Sequence, residues 1–292
     1  MRALEDLNPI TAAVYFLAVS GIAMFSMNPV LLVISLTGAV LFFLIRNGSR
    51  SAASHLWMFG LFLLLFLVNP LFSHNGATVL FVLNDNPVTL EATVYGAAAA
   101  VMVVSVLYWF RSFTQIMTSD KLLYLFGSLS PKLALVMSMG LRYVPLFSRQ
   151  ASKIGQAQTA LGLYKDDNLV DRFRGGVRIF SVLVTWALEN GIVTADSMAA
   201  RGFGCGRRSR FSIFRFTSAD FLVLTVTLLL FASAAVSLGS GALLFTYYPS
   251  IKPPDPTPLA LSGCISYGLL ALLPSILEAE EKIRWTCLKL KI

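Results

Sequence analysis

Arg201 is the side chain with the most specific chemical setting in this sequence. It stands between Ala200 and Gly202, at the end of a helix-like run in which Ser197, Ala199 and Ala200 are small. A guanidinium is planar and carries several N–H donors, so it pairs well with a carboxylate and also stacks on flat groups. Small neighbouring side chains let another surface approach closely. The tripeptide therefore predicts a docking contact for a partner protein, and not a catalytic centre.

The same tripeptide also has a simpler interpretation as an ordinary helix end. Glycine ends helices because it accepts the left-handed conformation cheaply, and a cation near the negative end of the helix dipole is stabilising. A second stretch of the same build lies forty residues earlier, since Ala160-Leu161-Gly162-Leu163 parallels Ala200-Arg201-Gly202-Phe203. The pattern predicts two similar helix ends, one of which has Leu161 where the other has arginine.

Composition places these helix ends in a membrane protein. Of the 292 residues, 56% are hydrophobic and only 13% are charged, whereas soluble domains carry roughly 25% charged residues. The mean hydropathy of +0.73 agrees with this class. The net charge of the chain is +8. In a membrane protein, such an excess of Lys and Arg is typical of loops that are retained in the cytoplasm. No fold or aromatic pattern indicates a nucleic-acid partner.

Six apolar runs are long enough to cross a bilayer as helices. They are 9–26, 29–45, 56–72, 93–110, 219–238 and 258–277. The 46–55 loop carries Arg46 and Arg50, and the 111–218 region and the tail after 277 are also basic, whereas the 73–92 loop carries Asp85 and Glu91. The positive-inside rule then puts both termini and the basic segments in the cytoplasm, with the 73–92 and 239–257 loops outside.

The chain is predicted to divide into a first transmembrane part at 1–110, a cytoplasmic domain at 111–218, and two further spans with a cytoplasmic tail at 219–292. Within 111–218, helical patterns run from Lys132 to about Leu161 and from about Val177 to Arg201. Such helices would be about 38–45 Å long and would lie along the membrane base with their tips toward the cytosol. As an alternative, 133–147 is apolar enough for a shallow seventh crossing.

Other candidate residues carry weaker signals. Glu278, Glu280 and Glu281, with Lys282 and Arg284, are interpreted as a solvated helix end. Arg142 stands in an apolar run, where it either reaches the membrane interface or pairs with a carboxylate such as Glu189 or Asp196. The Arg207-Arg208-Ser209-Arg210 run is typical of an orientation signal in contact with anionic lipid. The two histidines are isolated and the three cysteines have no metal-type spacing, so neither a metal nor a cofactor is expected. The sequence has no glycine loop for ATP and no common hydrolase motif.

The stretch 195–204, Ala-Asp-Ser-Met-Ala-Ala-Arg-Gly-Phe-Gly, resembles the signature of the transmembrane T component of energy-coupling factor (ECF) transporters. These are importers of vitamins and metals, of the ATP-binding-cassette (ABC) type. Further segments look familial, so that the resemblance covers roughly 60–215. They are Asn69-Pro70-Leu71-Phe72, Gly76, Thr78-Val79-Leu80-Phe81, Thr89-Leu90-Glu91-Ala92 with Tyr95-Gly96, and Leu141-Arg142-Tyr143-Val144-Pro145-Leu146.

The resemblance implies an all-α integral membrane protein with about six transmembrane helices and a cytoplasmic coupling domain of long crossed helices. It implies that two ABC ATPase subunits dock on two tips, Ala200-Arg201-Gly202 and Ala160-Leu161-Gly162. The coupling helices would also hold a substrate-binding membrane subunit, the S component, and move it when the ATPases close. Leu161 departs from the arginine of the family, which predicts a contact that depends less on charge at that tip.

Two other functions stay open on the sequence alone. An ABC-type permease subunit that forms the solute path itself would need polar groups that converge between the spans, and few are visible. A membrane-embedded enzyme would need paired acids or histidines at membrane depth, and the spans have almost none.

Overall fold

Helices make up most of the described chain. The structure is a computed structural model that describes residues 4–48, 52–73, 76–83, 86–163, 169–206 and 214–289. Its elements, in chain order, are α1 (Pro9–Phe25), α2 (Pro29–Asn47), α3 (Ala52–Phe72), β1 (Val79–Leu83), β2 (Asn86–Thr89), α4 (Leu90–Ile116), α5 (Ser119–Leu129), α6 (Pro131–Ala160), α7 (Leu169–Ala200), α8 (Ser218–Gly239) and α9 (Pro258–Lys289). Several residues used in the charge analysis lie outside the described residues, namely Arg50, Asp85 and the 207–210 run.

The prediction of an all-α membrane protein with about six spanning helices is confirmed. By length and composition, six of the described helices are able to cross a membrane: α2, α3, α4, α7, α8 and α9. The set differs from the predicted one at two helices, because it includes α7 and leaves out the 17-residue α1. At about 26 Å, α1 is near the lower limit for a spanning helix. α6, which contains the proposed seventh crossing at 133–147, is not in the set.

The small antiparallel sheet of β1 and β2 was not predicted. It occupies the middle of the 73–92 segment, which the sequence analysis treated as a loop, and Val82 pairs with Pro87 in its register. A two-stranded hairpin is marginal by itself, so packing of its second strand against α3 and α4 stabilises it.

Two compact units make up the described chain, and each is described by itself. The membrane unit consists of the residues up to Leu122 together with those from Phe214 onward, and the coupling unit is Leu123–Ile213.

The first two helices of the membrane unit begin in the same way. Asn8 and Asn28 are N-caps whose side-chain oxygens accept hydrogen bonds from the backbone N–H groups of Ile10 and Val30, at 3.1 and 2.9 Å. Proline follows each asparagine at the first helical position, where its fixed φ suits a helix and its missing N–H costs nothing. The Asn-Pro dipeptides therefore set where α1 and α2 start.

Aromatic side chains fill the interior of the membrane unit between α1, α2 and α4. Trp109 is 1% exposed, and its indole nitrogen donates to the Ser35 hydroxyl at 3.1 Å. The rings of Tyr15, Phe16 and Phe42 surround it, with centroids 6.3–6.4 Å from that of Trp109. Since the indole N–H and the Tyr15 hydroxyl are both satisfied and the other rings are apolar, this interior is packed core.

Charged contacts gather four distant segments at one end of the membrane unit. Arg46, at the end of α2, pairs with Glu5 at 2.7 Å and with Glu278 of α9 at 3.3 Å. Lys121 donates to the Glu5 carbonyl at 2.5 Å, and Lys282 donates to a carbonyl at the end of α2. The N-terminal segment, the last turn of α2, the first turn of α5 and the C-terminal part of α9 thus lie at one end of the unit.

The opposite end of the unit collects the remaining connections. Asn28 donates from its side chain to the Leu243 carbonyl at 3.1 Å, and the Tyr247 hydroxyl donates to the Met27 carbonyl at 2.7 Å. The ring of Tyr95, in the first turns of α4, lies against Tyr247 at 5.3 Å. The helices α1, α2, α4, α8 and α9 therefore each run from one end of the unit to the other.

The coupling unit leaves and rejoins the membrane unit at the same end. Lys121, just before it, contacts Glu5, and Asp220, just after it, accepts a 2.7 Å hydrogen bond from the backbone N–H of Asn8. Lys121 and Asp220 therefore lie at the same end of the membrane unit, beside the segment that precedes α1.

Glu278 corrects one expectation about α9. The acidic stretch after residue 277 was interpreted as a solvated helix end, but the helix continues to Lys289 and the Glu278 side chain is only 13% exposed because it packs beside Arg46.

The close approach of α2 to α9 yields a stability prediction. A Cβ on Gly38 would lie 2.8 Å from the Ala271 carbonyl oxygen, which is backbone and cannot turn away. Gly38→Ala should therefore destabilise the protein by about 1–3 kcal/mol through overpacking, seen as a lower midpoint of thermal unfolding in detergent. Gly60→Ala is the control, because nothing lies within 4 Å of its Cβ; equal midpoints for both variants would contradict the prediction.

Candidate functional site

The coupling unit is built on an antiparallel pair of long helices, α6 and α7. The Tyr143 hydroxyl lies 3.3 Å from that of Thr194 near one end of the pair. The Phe147 ring packs edge-on against Trp186 at 6.1 Å, and a Cβ on Gly155 would lie 3.6 Å from Ile179 toward the other end. As residue numbers rise along α6 they fall along α7, which fixes the antiparallel direction.

Both predicted tips are helix ends of the same construction, as expected from their sequences. At the end of α6, the Gly162 N–H donates to the Thr159 carbonyl and the Leu163 N–H to the Gln158 carbonyl, each at 3.0 Å. At the end of α7, the N–H groups of residues 202 and 203 donate to the carbonyls of residues 199 and 198, again at 3.0 Å. This pair of bonds is the Schellman motif, which satisfies the carbonyls of the last helical turn.

Glycine is required at both tips because the motif needs a left-handed residue. Gly162 has φ of +70° and Gly202 has φ of +77°. The six predicted docking residues are all exposed to solvent: Ala160, Leu161, Gly162, Ala200, Arg201 and Gly202. Leu161 has 73% of its surface exposed, which is a large apolar side chain left open at a helix end.

Antiparallel packing puts the two tips at opposite ends of the helix pair. Arg201 lies beside Arg142 of α6, in a groove that both residues line. The end of α6 lies about 19 residues further along, which is about 28 Å at 1.5 Å per residue. Two tips at this separation present two distinct contact points.

The structure brings Arg142 to the α7 tip, which sequence reasoning missed. Arg142 and Arg201 line a groove of about 300 Å³ together with Tyr143, Thr194 and Ser197. Arg142 is exposed, and within the described residues neither Glu189 nor Asp196 is within ion-pair distance of it. The suggested pairing with one of these carboxylates is therefore not formed. Two guanidinium groups and three hydroxyls form a surface suited to an anionic group.

Arg178 is a second cation that sequence reasoning missed. It belongs to α7, yet its guanidinium donates to the Leu163 carbonyl at the α6 tip at 3.3 Å. The contacts of Arg142 with the α7 tip and of Arg178 with the α6 tip depend on the register of the helix pair. This register could not be predicted without the direction in which the two helices pack.

Apolar side chains cover the outer faces of the helix pair. On α6, residues Leu133, Val136, Leu141 and Val144 are 43–68% exposed, and on α7 residues Phe173, Val177, Phe180, Leu188 and Ile192 are 52–74% exposed. Their spacing of mostly three or four residues places each set on one helix face. Exposed apolar patches of this extent mark a contact with another protein or with lipid.

Other residues of the familial pattern have a structural role in the membrane unit. The Glu91 carboxylate, 3% exposed, accepts from the Thr78 N–H at 3.2 Å and so ties the hairpin to the first turn of α4. A Cβ on Gly96 would lie 2.9 Å from the Asn69 side chain, so glycine permits the close packing of α4 on α3.

The left-handed glycine of the α7 tip can be tested directly. Gly202→Ala should strain the φ of +77° by about 1–2 kcal/mol and loosen the last turn. Amide hydrogen exchange at residues 198–201 should then accelerate roughly 5- to 30-fold. Gly191→Ala, within the same helix and with nothing within 4 Å of its Cβ, should leave these amides unchanged. Unaltered exchange in Gly202→Ala would show that the motif does not hold this end.

Comparison with known proteins places the chain in a family. The model of the CbiQ family, described as cobalt transport protein, matches residues 1–213. The chain is also 32% identical, over 106 residues, to the energy-coupling factor transporter transmembrane protein EcfT 1 of Listeria monocytogenes serotype 1/2a (strain 08-5578). That stretch is 36% of this chain and spans about 40% of the length of the relative. Because the family match covers well over half of the chain, including both tips, this multi-pass membrane protein belongs to the CbiQ family.

Proposed function

We propose that this chain is the transmembrane energy-coupling (T) subunit of an ECF-type ABC importer for vitamins or other micronutrients. Two ATPase subunits dock on the tips of α6 and α7, and the movement that follows ATP binding is passed to a substrate-binding S component. The chain itself performs no chemical step. Its membership of the CbiQ family and its similarity to the EcfT 1 protein support this assignment.

The observation that carries the proposal is the pair of exposed Schellman ends. Each tip has its own backbone hydrogen bonds satisfied, so it is rigid without a partner and presents its side chains outward. With the tips about 28 Å apart, each contacts a different ATPase subunit. The Arg201 guanidinium, with Arg142 in the same groove, takes a carboxylate of the ATPase at the α7 tip.

The exposed apolar faces of α6 and α7 are the proposed binding surface for the third partner, the S component. An S component is itself a membrane protein and offers an apolar surface that these faces match. A rigid helix pair that contacts the ATPases through its tips and the S component through its sides transmits motion between them. Such coupling requires contacts that differ between the two states of the ATPases.

The packed interior of the membrane unit argues against a solute path through this chain. A permease subunit that conducts its own solute needs polar groups lining a channel. The centre of this unit instead holds the Trp109 cluster, whose four largest members are at most 4% exposed. The transported solute is therefore assigned to the S component.

The proposed orientation puts both termini in the cytoplasm. The end of the membrane unit that carries Arg46, Lys121 and Lys282 is the basic end, and basic segments stay on the cytoplasmic side. The coupling unit leaves from this end, where it meets cytoplasmic ATPases. The cell membrane is the proposed location.

The docking role predicts the effect of reversing one charge. Arg201→Glu should insert normally but lose most of its association with the ATPase subunits, by about tenfold or more in affinity, because a carboxylate then faces a carboxylate. Co-purification of the complex and ATP-dependent uptake measure this. Arg284→Glu makes the same charge change at an exposed site of α9 and should behave like the unmodified chain. Full assembly and uptake with Arg201→Glu would refute the docking role.

The orientation predicts which cysteines a membrane-impermeant maleimide reaches. Cys205 and Cys287 are exposed and are placed in the cytoplasm, so in intact cells neither should react until the membrane is opened. A cysteine introduced as Ser250→Cys, in a variant whose three native cysteines are replaced by alanine, should react in intact cells. Labelling of Cys287 in intact cells would mean that the orientation is reversed.

A further inference from the structure

The α6 tip has no arginine at the position that corresponds to Arg201, but a cation from the other helix lies beside it. Leu161 occupies the position that corresponds to Arg201, and the last turn of α6 contains no basic residue. The guanidinium of Arg178 nevertheless lies at this tip, where it donates to the Leu163 carbonyl at 3.3 Å.

The position of Arg178 follows from the antiparallel register. The end of each helix lies beside the body of the other, so a residue within α7 reaches the α6 tip just as Arg142, within α6, reaches the α7 tip. Each tip therefore has an arginine from the opposite helix, and at the α6 tip this arginine contacts Leu163, two residues after the exposed Leu161.

The Arg178 guanidinium is held at the α6 tip by one hydrogen bond, which uses only one of its donors. The carbonyl groups at a helix C-terminus carry partial negative charge, which favours a nearby cation. One guanidinium N–H is engaged by Leu163, and the group has several further donors in a fixed fork that fits a carboxylate. Arg178 is exposed, and within the part of the chain that the structure describes its guanidinium donates to the Leu163 carbonyl, which leaves further donors for a partner.

We propose that Arg178 takes the place of the arginine missing at position 161, and is the cation through which the α6 tip binds an acidic groove on the second ATPase subunit. This inference rests on the proposed function. Leu161 then supplies an apolar contact beside the charge, so the two tips present the same chemistry from differently placed side chains. The contact at the α6 tip is accordingly charge-dependent, contrary to the expectation from Leu161 alone.

The test measures the affinity of the full-length chain in detergent for the ATPase subunits purified from its native complex. Arg178→Glu should weaken this affinity by about tenfold or more, as reversal of an interfacial charge does. Arg178→Gln removes the charge but keeps a polar side chain, so it should also weaken binding. Hydrogen exchange at residues 158–163 should stay unchanged, because the last turn of α6 is held by its own backbone hydrogen bonds. Arg149→Glu, an exposed site in the body of α6, is the control and should bind normally.

A second-site variant separates a binding role from a local structural one. Leu161→Arg restores the cation at the tip through the other side chain, so Leu161→Arg combined with Arg178→Gln should recover affinity to within about threefold of the unmodified chain. A residue that only stabilises the loop would not be rescued in this way. Failure of this rescue, or normal binding by Arg178→Gln, would overturn the inference.

The same assay keeps the inference distinct from the proposed function. If Arg201→Glu loses the ATPases and Arg178→Glu does not, the docking function stands and the role of Arg178 is refuted. If neither variant loses them, the docking function itself fails and the inference fails with it.

Discussion

Antiparallel packing of α6 against α7 is the interaction on which the functional surface of this protein depends. It separates the two helix ends by the length of their overlap and gives each end a neighbour from the opposite helix. The contacts that enforce it include those of Tyr143 with Thr194 and of Phe147 with Trp186. Under the proposed function, a displacement at one tip would be carried along the helix pair to the apolar faces between the tips.

The membrane unit is held together by charged contacts at one end and by an aromatic interior. Arg46 joins Glu5 and Glu278, and so connects the N-terminal segment, α2 and α9 at the end where the coupling unit leaves. Breaking one partner of such a cluster would leave another charge poorly solvated, which is more costly than the net gain from forming the pair. The Trp109 cluster fills the space between α1, α2 and α4. A filled interior suits a structural support better than a channel.

Some elements of the fold could be predicted from the sequence and others could not, for physical reasons. Five of the six predicted spans start within four residues of a helix that is able to cross a membrane, because lipid demands long apolar runs. The sixth, 9–26, coincides with α1, which is shorter than the other candidates. α7 begins at Leu169 and not near Val177, since Gly175 and Gly176 look like a break in sequence but the helix passes through them. The β1–β2 hairpin was missed because its stability comes from packing on α3 and α4. The role of Glu278 was misjudged because its partner Arg46 is 232 residues away.

At the candidate site, the sequence by itself determined the form of the two tips. Their hydrogen bonds join residues at most five positions apart, so a glycine after a helical run was enough to specify them. Only the tertiary structure decided which side chains share each tip. Arg178 reaches Leu163, and Arg142 lies beside Arg201, because two helices pack in one direction and register. That choice depends on the summed packing of many side chains along both helices, and no local stretch of sequence contains it.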